Sequence, residues 1–392
     1  MQPNIIETDD DFRGFCEHIR GEQLVGFDTE FVSENTYRPA LGLLQFATRD
    51  RAAVVDPLLI DDLTPWWEIM ADDETTVVVH GGQAEIRFCL QLLGQSPRRL
   101  FDIQVAEGFR GCSYPLSYSA IVRRVVNRGV DGSQTRTDWT RRPLTQAQLT
   151  YALEDVEHLL NIYETQAASL EKQGRLSWVE SEVSRLIEDI RQDDAAEPSE
   201  RLPGIHKLNR RDLAVLQSLA RWRESEACTQ NRPVRRILRD DLLVDLARRQ
   251  PRTEKQALAT RDLNRREYRR HMQDVVNVIL AAQEIDDDDL PQKRRSRRED
   301  ASSEEQVVAK LLALSLSNRC AELNMAYTLV ANNRDLLELV RYHRLGERNR
   351  NTPRMVSGWR EELFGGLLRD VMDGKVAFRV APRGSAAPLV FE

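Results

Sequence analysis

An α/β domain with a mixed, partly antiparallel sheet flanked by helices, followed by two all-α modules, is the fold class that the sequence predicts. Three observations predict it. Short runs rich in Val, Leu and Phe follow one another within the first eighty residues, helix-period segments dominate from about residue 145, and two polar, charged stretches divide the helical part. A chain of 392 residues is long for one domain, and 41% hydrophobic residues supply material for proper cores.

The strand signals come first. Residues 23–27 (QLVGF) read as a short strand, 41–48 (LGLLQFAT) as a second, and 51–57 (RAAVVDP) as a third that ends at a proline. Their close spacing predicts antiparallel hairpins. A helix is expected at about 62–70, then a buried strand at 75–80 (TTVVVH). Past GGQ, the run AEIRFCLQLLG (84–94) has apolar residues at helical spacing and stops at a glycine. TQAQLTYALEDVEHLLNIYETQAASLEKQG (145–174) is predicted to be one long amphipathic stretch, and a charged helix follows to about 192. QDDAAEPSERLPG reads as a linker, and residues 207–285 as several short helices. The run EIDDDDLPQKRRSRREDASSEE sets four aspartates beside a basic cluster and is expected to be a mobile connection. Residues 304–382 are expected to form another small bundle. The predicted units are therefore 1–192 (α/β), 193–206 (linker), 207–285 (helical), 286–303 (linker), 304–382 (helical) and 383–392 (tail).

Bulk properties exclude several classes. The five cysteines (Cys16, Cys89, Cys112, Cys228, Cys320) form no CxxC pair, so they read as reduced thiols and neither a zinc site nor a disulfide framework is expected. The start, MQPNIIETDDDF, is acidic and lacks the apolar core of a signal peptide. No stretch approaches the ~18 apolar residues of a membrane span. A soluble, cytoplasmic protein is expected. The formal net charge of −7 is unusual for a nucleic-acid binder, but a local basic face matters more than the sum.

The chemistry-bearing residues are carboxylates. Asp28 and Glu30 flank Thr29 at the end of a predicted strand, where residues i and i+2 share a face. Two adjacent acids repel unless a cation neutralises them, and Mg²⁺ or Mn²⁺ prefers such hard oxygen ligands. Alone, the pair reads more readily as a solvated strand edge. Tyr151 and Asp155 lie four apart on a strong helix and share one face, pairing a carboxylate with a phenol able to orient water. Glu85, between the two in sequence, begins the helix after the VVVH strand.

Together these residues resemble the DEDD exonuclease superfamily, and more closely its ribonuclease D branch. The resemblance is carried by FDTEFVSENTYRPALGLLQ (27–45), HGGQAEIRFCLQLLG (80–94), FDIQVA (101–106) and TRTDWTRRPLTQAQLTYALEDVEHLL (135–160), and spans about 20–165. It implies a ribonuclease H-like exonuclease domain, and the tyrosine of the third motif marks the DEDDy subtype. By resemblance Asp28, Glu30, Glu85 and Asp155 ligate two divalent ions, Mg²⁺ or Mn²⁺. Tyr151 orients the water that strikes the terminal phosphodiester, releasing nucleoside 5′-monophosphates. Two positions depart from the family: Glu85 stands where it has Asp, and Gly132 where it usually has Lys. Among the matched residues, Phe31 and Tyr37 are candidates to stack on terminal bases, and Arg136 and Arg142 to hold phosphates. Asp102 is a nearby spare acid expected to be structural, His80 a hydrogen-bonded strand end, and Trp66 and Trp67 core residues.

Residues 207–285 resemble an HRDC domain, the helical module shared by ribonuclease D and RecQ helicases, through LAVLQSLARWRESEACTQNRPVRRILRDDLLVDLARRQP (213–251). Residues 207–280 hold 18 Lys and Arg against 10 Asp and Glu, a local +8 that fits a phosphate-binding face. Its candidates are Arg232, Arg235, Arg236 and Arg239. Residues 304–382 resemble a second, more divergent HRDC-like module. The family implies a ring or funnel of modules, acting as a monomer on RNA with a single-stranded 3′ end, tRNA precursors being typical. Two alternatives remain open at this point: a DNA-directed 3′→5′ exonuclease, and a catalytically weak RNA-binding protein in which Glu85 impairs the site.

Overall fold

The computed structural model describes residues 4–130, 137–292, 301–344, 352–385 and 387–392. The N-terminal part is built on a six-stranded sheet: β1 (Asn4–Ile6), β2 (Leu24–Val32), β3 (Ala40–Ala47), β4 (Ala52–Val55), β5 (Thr76–Val79) and β6 (Leu100–Asp102), in the spatial order β1-β4-β3-β2-β5-β6. The β2–β3 and β3–β4 pairs are antiparallel, as the short connections predict, and the other three are parallel. The sheet is mixed, with β2 and β3 at its centre.

Alternation along β2 divides the domain into two layers. Phe27 meets Trp66 with ring centroids 4.5 Å apart, and Phe31 meets Phe88 at 5.6 Å. That face is covered by α1 (Asp9–Glu22), α2 (Thr64–Ala71) and α3 (Gln83–Leu92), and both Trp66 and Trp67 are fully buried in its core. Past β6 come α4 (Ile103–Arg110) and α5 (Tyr118–Val125), and then α6 (Gln146–Glu157), α7 (Leu159–Lys172) and α8 (Leu176–Ala195). Helices α6 and α7 cover the other face of β2, where Leu43, Val54, Trp139, Leu149 and Ala152 make a small separate cluster. A capping box between Thr145 and Gln148 starts α6 cleanly, satisfying two otherwise orphaned amides.

The second unit is a bundle of α9 (Arg210–Thr229), α10 (Val234–Ile237), α11 (Asp240–Arg249), α12 (Glu254–Leu258), α13 (Arg266–Arg269) and α14 (Met272–Gln283). It has its own core, running from Leu202 to Ala282. The third unit contains α15 (Ser303–Glu322), α16 (Tyr327–Val330), α17 (Asn333–Arg344), α18 (Gly358–Arg360), a π-turn at Glu361–Gly365 and α19 (Gly366–Met372). Among the described residues it has no separate core. Leu312, Leu316, Trp359 and Phe364 are buried with the nuclease-side residues Phe109 and Val183, and Trp359 stacks on Trp178 at 5.9 Å. Beneath this seam the buried Glu182 of α8 accepts from Arg185 at 2.6 Å, Arg354 at 2.7 Å and Arg360 at 2.8 Å.

Several expectations need correction. The long stretch 145–174 is not one helix but two, broken at His158. Beside the helices of the third unit, β7 (Phe378–Val380) and β8 (Leu389–Phe391) pair as a short antiparallel ribbon. Helices α1 and α5 and the short edge strands β1 and β6 were not anticipated as such. Strands of three residues carry too few alternating positions for a pattern to show. All five cysteines are free, and among the described residues no helix is long and apolar enough to cross a membrane. The basic run after Pro291, with Gly132 and Arg136, lies outside the described residues.

Candidate active site

Asp28 and Glu30 project from β2 on the face turned toward α6, opposite the Phe27–Phe31 face. From α6 come Tyr151 and Asp155, one helical turn apart, and the Tyr151 hydroxyl is hydrogen-bonded to the Asp155 carboxylate. Trp139, 1% exposed, lies 6.0 Å from the Tyr151 ring and backs it. Glu85, 4% exposed, comes from the first turn of α3 on the far side of the strand.

The electrostatics identify a cluster of mutually repelling acids. Burial, then the charges of Glu85, Asp155 and Glu30, push Asp28 well above the carboxylate range. Burial, then Asp155 and Glu85, raise Glu30 to about 8. Burial raises Asp155 to about 6 against the opposing Tyr151 hydrogen bond. Burial also raises Glu85, opposed by a hydrogen bond from Thr29. Among the described residues no lysine or arginine figures among the groups perturbing these four acids.

Glu85 is engaged in a way its position in sequence does not reveal. The Thr29 hydroxyl donates to Glu85 Oε1 at 2.6 Å, and Thr29 shares the Phe27–Phe31 side of β2. One carboxylate oxygen of the longer acid is thus held behind the strand that carries Asp28 and Glu30. As the side chains stand, no three His, Cys, Asp or Glu groups among the described residues converge to enclose a metal ion. The donor set nevertheless suits one: four buried or half-buried carboxylates are hard oxygen donors, and among the described residues no basic side chain figures in balancing them.

The remaining residues sort by their partners. Asp102 is structural, as expected: it caps α4 at Gln104 N (2.8 Å) and accepts from Gly81 N and Gly82 N at 3.0 and 3.2 Å, fastening the turn that launches α3. His80 Nε2 donates to the Leu116 carbonyl at 2.9 Å. Arg142 departs from its expected phosphate-holding role. Its guanidinium contacts the buried Asp56 at 2.5 and 2.6 Å and the carbonyls of Gly42 and Trp139, each at 2.8 Å, so its donors are used inside the domain. Glycine is required at 42, because a Cβ there would sit 2.7 Å from the Trp139 Cβ. Phe31 is half-buried against Phe88. Tyr37 reaches the second unit instead of an open base platform: its hydroxyl bonds Glu224 and its backbone N–H donates to Asn231 Oδ1 at 3.2 Å.

In the second unit Arg232 and Arg236 are exposed and, among the described residues, have no side-chain ion pair. Arg235 contacts Asp240 at 3.0 Å, and Arg239 contacts Asp241 at 2.7 Å and Asp262 at 3.4 Å. Trp139, inside the TRTDW motif, backs the Tyr151 ring, a contact that the sequence does not reveal.

Residues 3–171 match the 3′-5′ exonuclease family and residues 212–279 the HRDC domain. A ribonuclease D of Gluconacetobacter diazotrophicus is 32% identical, spanning 96% of this chain and 95% of its own. That of Zymomonas mobilis is 31% identical over 100% and 99%. The crystal structure of Escherichia coli RNase D, an exoribonuclease involved in structured RNA processing, has a TM-score of 0.83 and 28% identity, covering 95% of this chain and 99% of that one. With the acids on β2, the Tyr–Asp pair on α6 and this full-length similarity together, the chain belongs to the ribonuclease D family and is a 3′→5′ exoribonuclease.

Proposed function

We propose that this chain, as a monomer, trims single-stranded 3′ ends of structured RNA, tRNA precursors among them, to nucleoside 5′-monophosphates, using two divalent cations, Mg²⁺ or Mn²⁺. The observation that carries this reading is the cluster of buried or half-buried Asp28, Glu30, Glu85 and Asp155, in which Glu85 and Asp155 lie close enough to push up both Asp28 and Glu30 and, among the described residues, no lysine or arginine figures among the perturbing groups. Asp28, Glu30 and Asp155 would hold the cations, with Glu85 supplying the fourth carboxylate through the oxygen that Thr29 leaves free. Bound there, the ions would lower the pKa of the attacking water and neutralise the phosphate oxygens. The Tyr151 hydroxyl, held by Asp155 and backed by Trp139, would orient the attacking water toward the terminal phosphodiester. RNA specificity is supported by similarity to the exoribonuclease from Escherichia coli.

The strand would reach the site past the second unit. Tyr37 joins the segment after β2 to Glu224 and Asn231, which brings the exposed Arg232 close to the end of the strand that carries Asp28 and Glu30. Such cations hold phosphates without reading sequence. The test is release of 5′-monophosphates, with Mg²⁺ or Mn²⁺, from a 3′-tailed RNA and the matching DNA. Wild type is expected to degrade the RNA preferentially, and Asp28→Asn and Asp155→Asn to lose on the order of a hundredfold or more in kcat. Equal rates for wild type and Asp28→Asn would overturn the reading, and faster cleavage of DNA would replace its substrate.

A further inference from the structure

In an unbroken α-helix the amide of residue 158 bonds the carbonyl of residue 154. Here a third group stands between them. The Tyr118 hydroxyl donates to the Glu154 carbonyl at 3.1 Å and accepts from the His158 amide at 3.3 Å. A side chain inserted into the backbone ladder is a known physical cause of a kink, and α6 ends at Glu157 where α7 restarts at Leu159. The Glu154 carbonyl belongs to the same peptide group as the Asp155 amide, so the hydroxyl acts one peptide unit from a site carboxylate.

The wedge is itself anchored. Leu116, two residues before it, offers its carbonyl to His80 Nε2 and Gln104 Nε2, both at 2.9 Å. Ser117 caps α5, and the Tyr118 ring stands edge-on to His80 with centroids 5.8 Å apart. His80 follows β5, next to β2, so the ring's placement derives from the sheet that carries Asp28 and Glu30. Burial, with the charges of Asp155 and Asp28 adding to it, keeps the phenol protonated and able to donate.

We propose that Tyr118 is a positioning residue for hydrolysis: its hydroxyl, inserted between the His158 amide and the Glu154 carbonyl, holds open the joint between α6 and α7 and so sets where Asp155 stands over β2. The role rests on Asp155 being one of the metal-holding carboxylates proposed above. Tyr118→Phe keeps the ring and removes the hydroxyl, which lets the helix close its own bond. The expected result is a kcat on 3′-tailed RNA lower by about 10–100-fold with KM little changed. Mn²⁺ affinity of the RNA-free protein, read by calorimetry, is expected to weaken by about tenfold, with Tm no lower than wild type. Tyr118→Leu, which removes the ring as well, should share the kcat and Mn²⁺ effects and also lose Tm.

If Tyr118→Phe matches wild type in kcat and Mn²⁺ affinity, or simply fails to fold, the hydroxyl serves stability alone and the positioning role is overturned. Asp155→Asn separates the two readings. Should it bind Mn²⁺ like wild type, the metal assignment itself fails, and the role built on it fails too. Should it lose Mn²⁺ while Tyr118→Phe does not, only the role of Tyr118 fails.

Discussion

Arg142 binds three segments at once: the Asp56 carboxylate after β4, the Gly42 carbonyl in β3 and the Trp139 carbonyl in its own loop. Removing one partner of a buried ion pair leaves the other charge uncompensated, at a cost of about 3–5 kcal/mol. Arg142→Ala is therefore expected to destabilise the nuclease by about 3 kcal/mol in denaturant titration. Because Trp139 backs Tyr151, kcat should fall while KM for RNA stays near wild type; a phosphate-holding arginine would do the opposite and raise KM. Spacing alone, i+2 for Asp28 and Glu30 on a strand and i+4 for Tyr151 and Asp155 on a helix, pointed weakly to these residues, and it was the family resemblance of the joined motifs that singled them out together with Glu85. Arg142 and Tyr37 were misread for a physical reason. Their motif positions are genuine, but what a long side chain bonds depends on Asp56 and Glu224, distant in sequence and close in space. The Thr29–Glu85 bond is of the same kind.

Helix boundaries follow the same division between local and distant causes. Where a cap is local, as in the Thr145–Gln148 box of α6, start and sequence agree. Where the cause is remote, as at His158, a continuous helical pattern conceals a break. Helix α15 combines both. Ser302 and Glu305 form a capping box, and Arg341 of α17 reaches the same carboxylate at 2.5 Å. The hydrogen bond from Arg341 leads the causes that hold Glu305 below the usual carboxylate range. A depressed carboxylate contributes stability that is complete above its unfolded pKa of about 4.3 and is lost as pH falls through the lower folded value. Denaturation midpoints measured against pH should thus fall more steeply below about pH 4.3 in wild type than in Glu305→Gln. Parallel curves would mean that the cap carries no linked stability.

At the scale of the whole molecule, two large cores among the described residues serve three helical or mixed units. The three-unit order was legible from composition and helical periodicity, and the nuclease and HRDC families match the first two units. The sharing of one core was not legible, since apolar periodicity states that a face is buried and not against what. Calorimetry should show the difference as two transitions, one for the core from Leu202 to Ala282 and one for the nuclease joined to the third unit. Arg360→Ala, which removes a buried partner of Glu182, is expected to lower only the second of these. The exposed Arg232, just before α10, and Arg236 within it make a separate prediction. Arg232→Ala with Arg236→Ala should reduce the slope of log affinity against log salt by about 1.4 for a single-stranded RNA, with no change in sequence preference. The shared core also bears on how the protein is made. Phe109 and Trp178 remain uncovered until the ribosome has delivered Trp359, long after the catalytic motifs have emerged. At about 5–20 residues per second the nascent nuclease spends many seconds with that apolar seam open. A message cut short after the second unit would therefore yield an adhesive, chaperone-dependent fragment instead of a working nuclease.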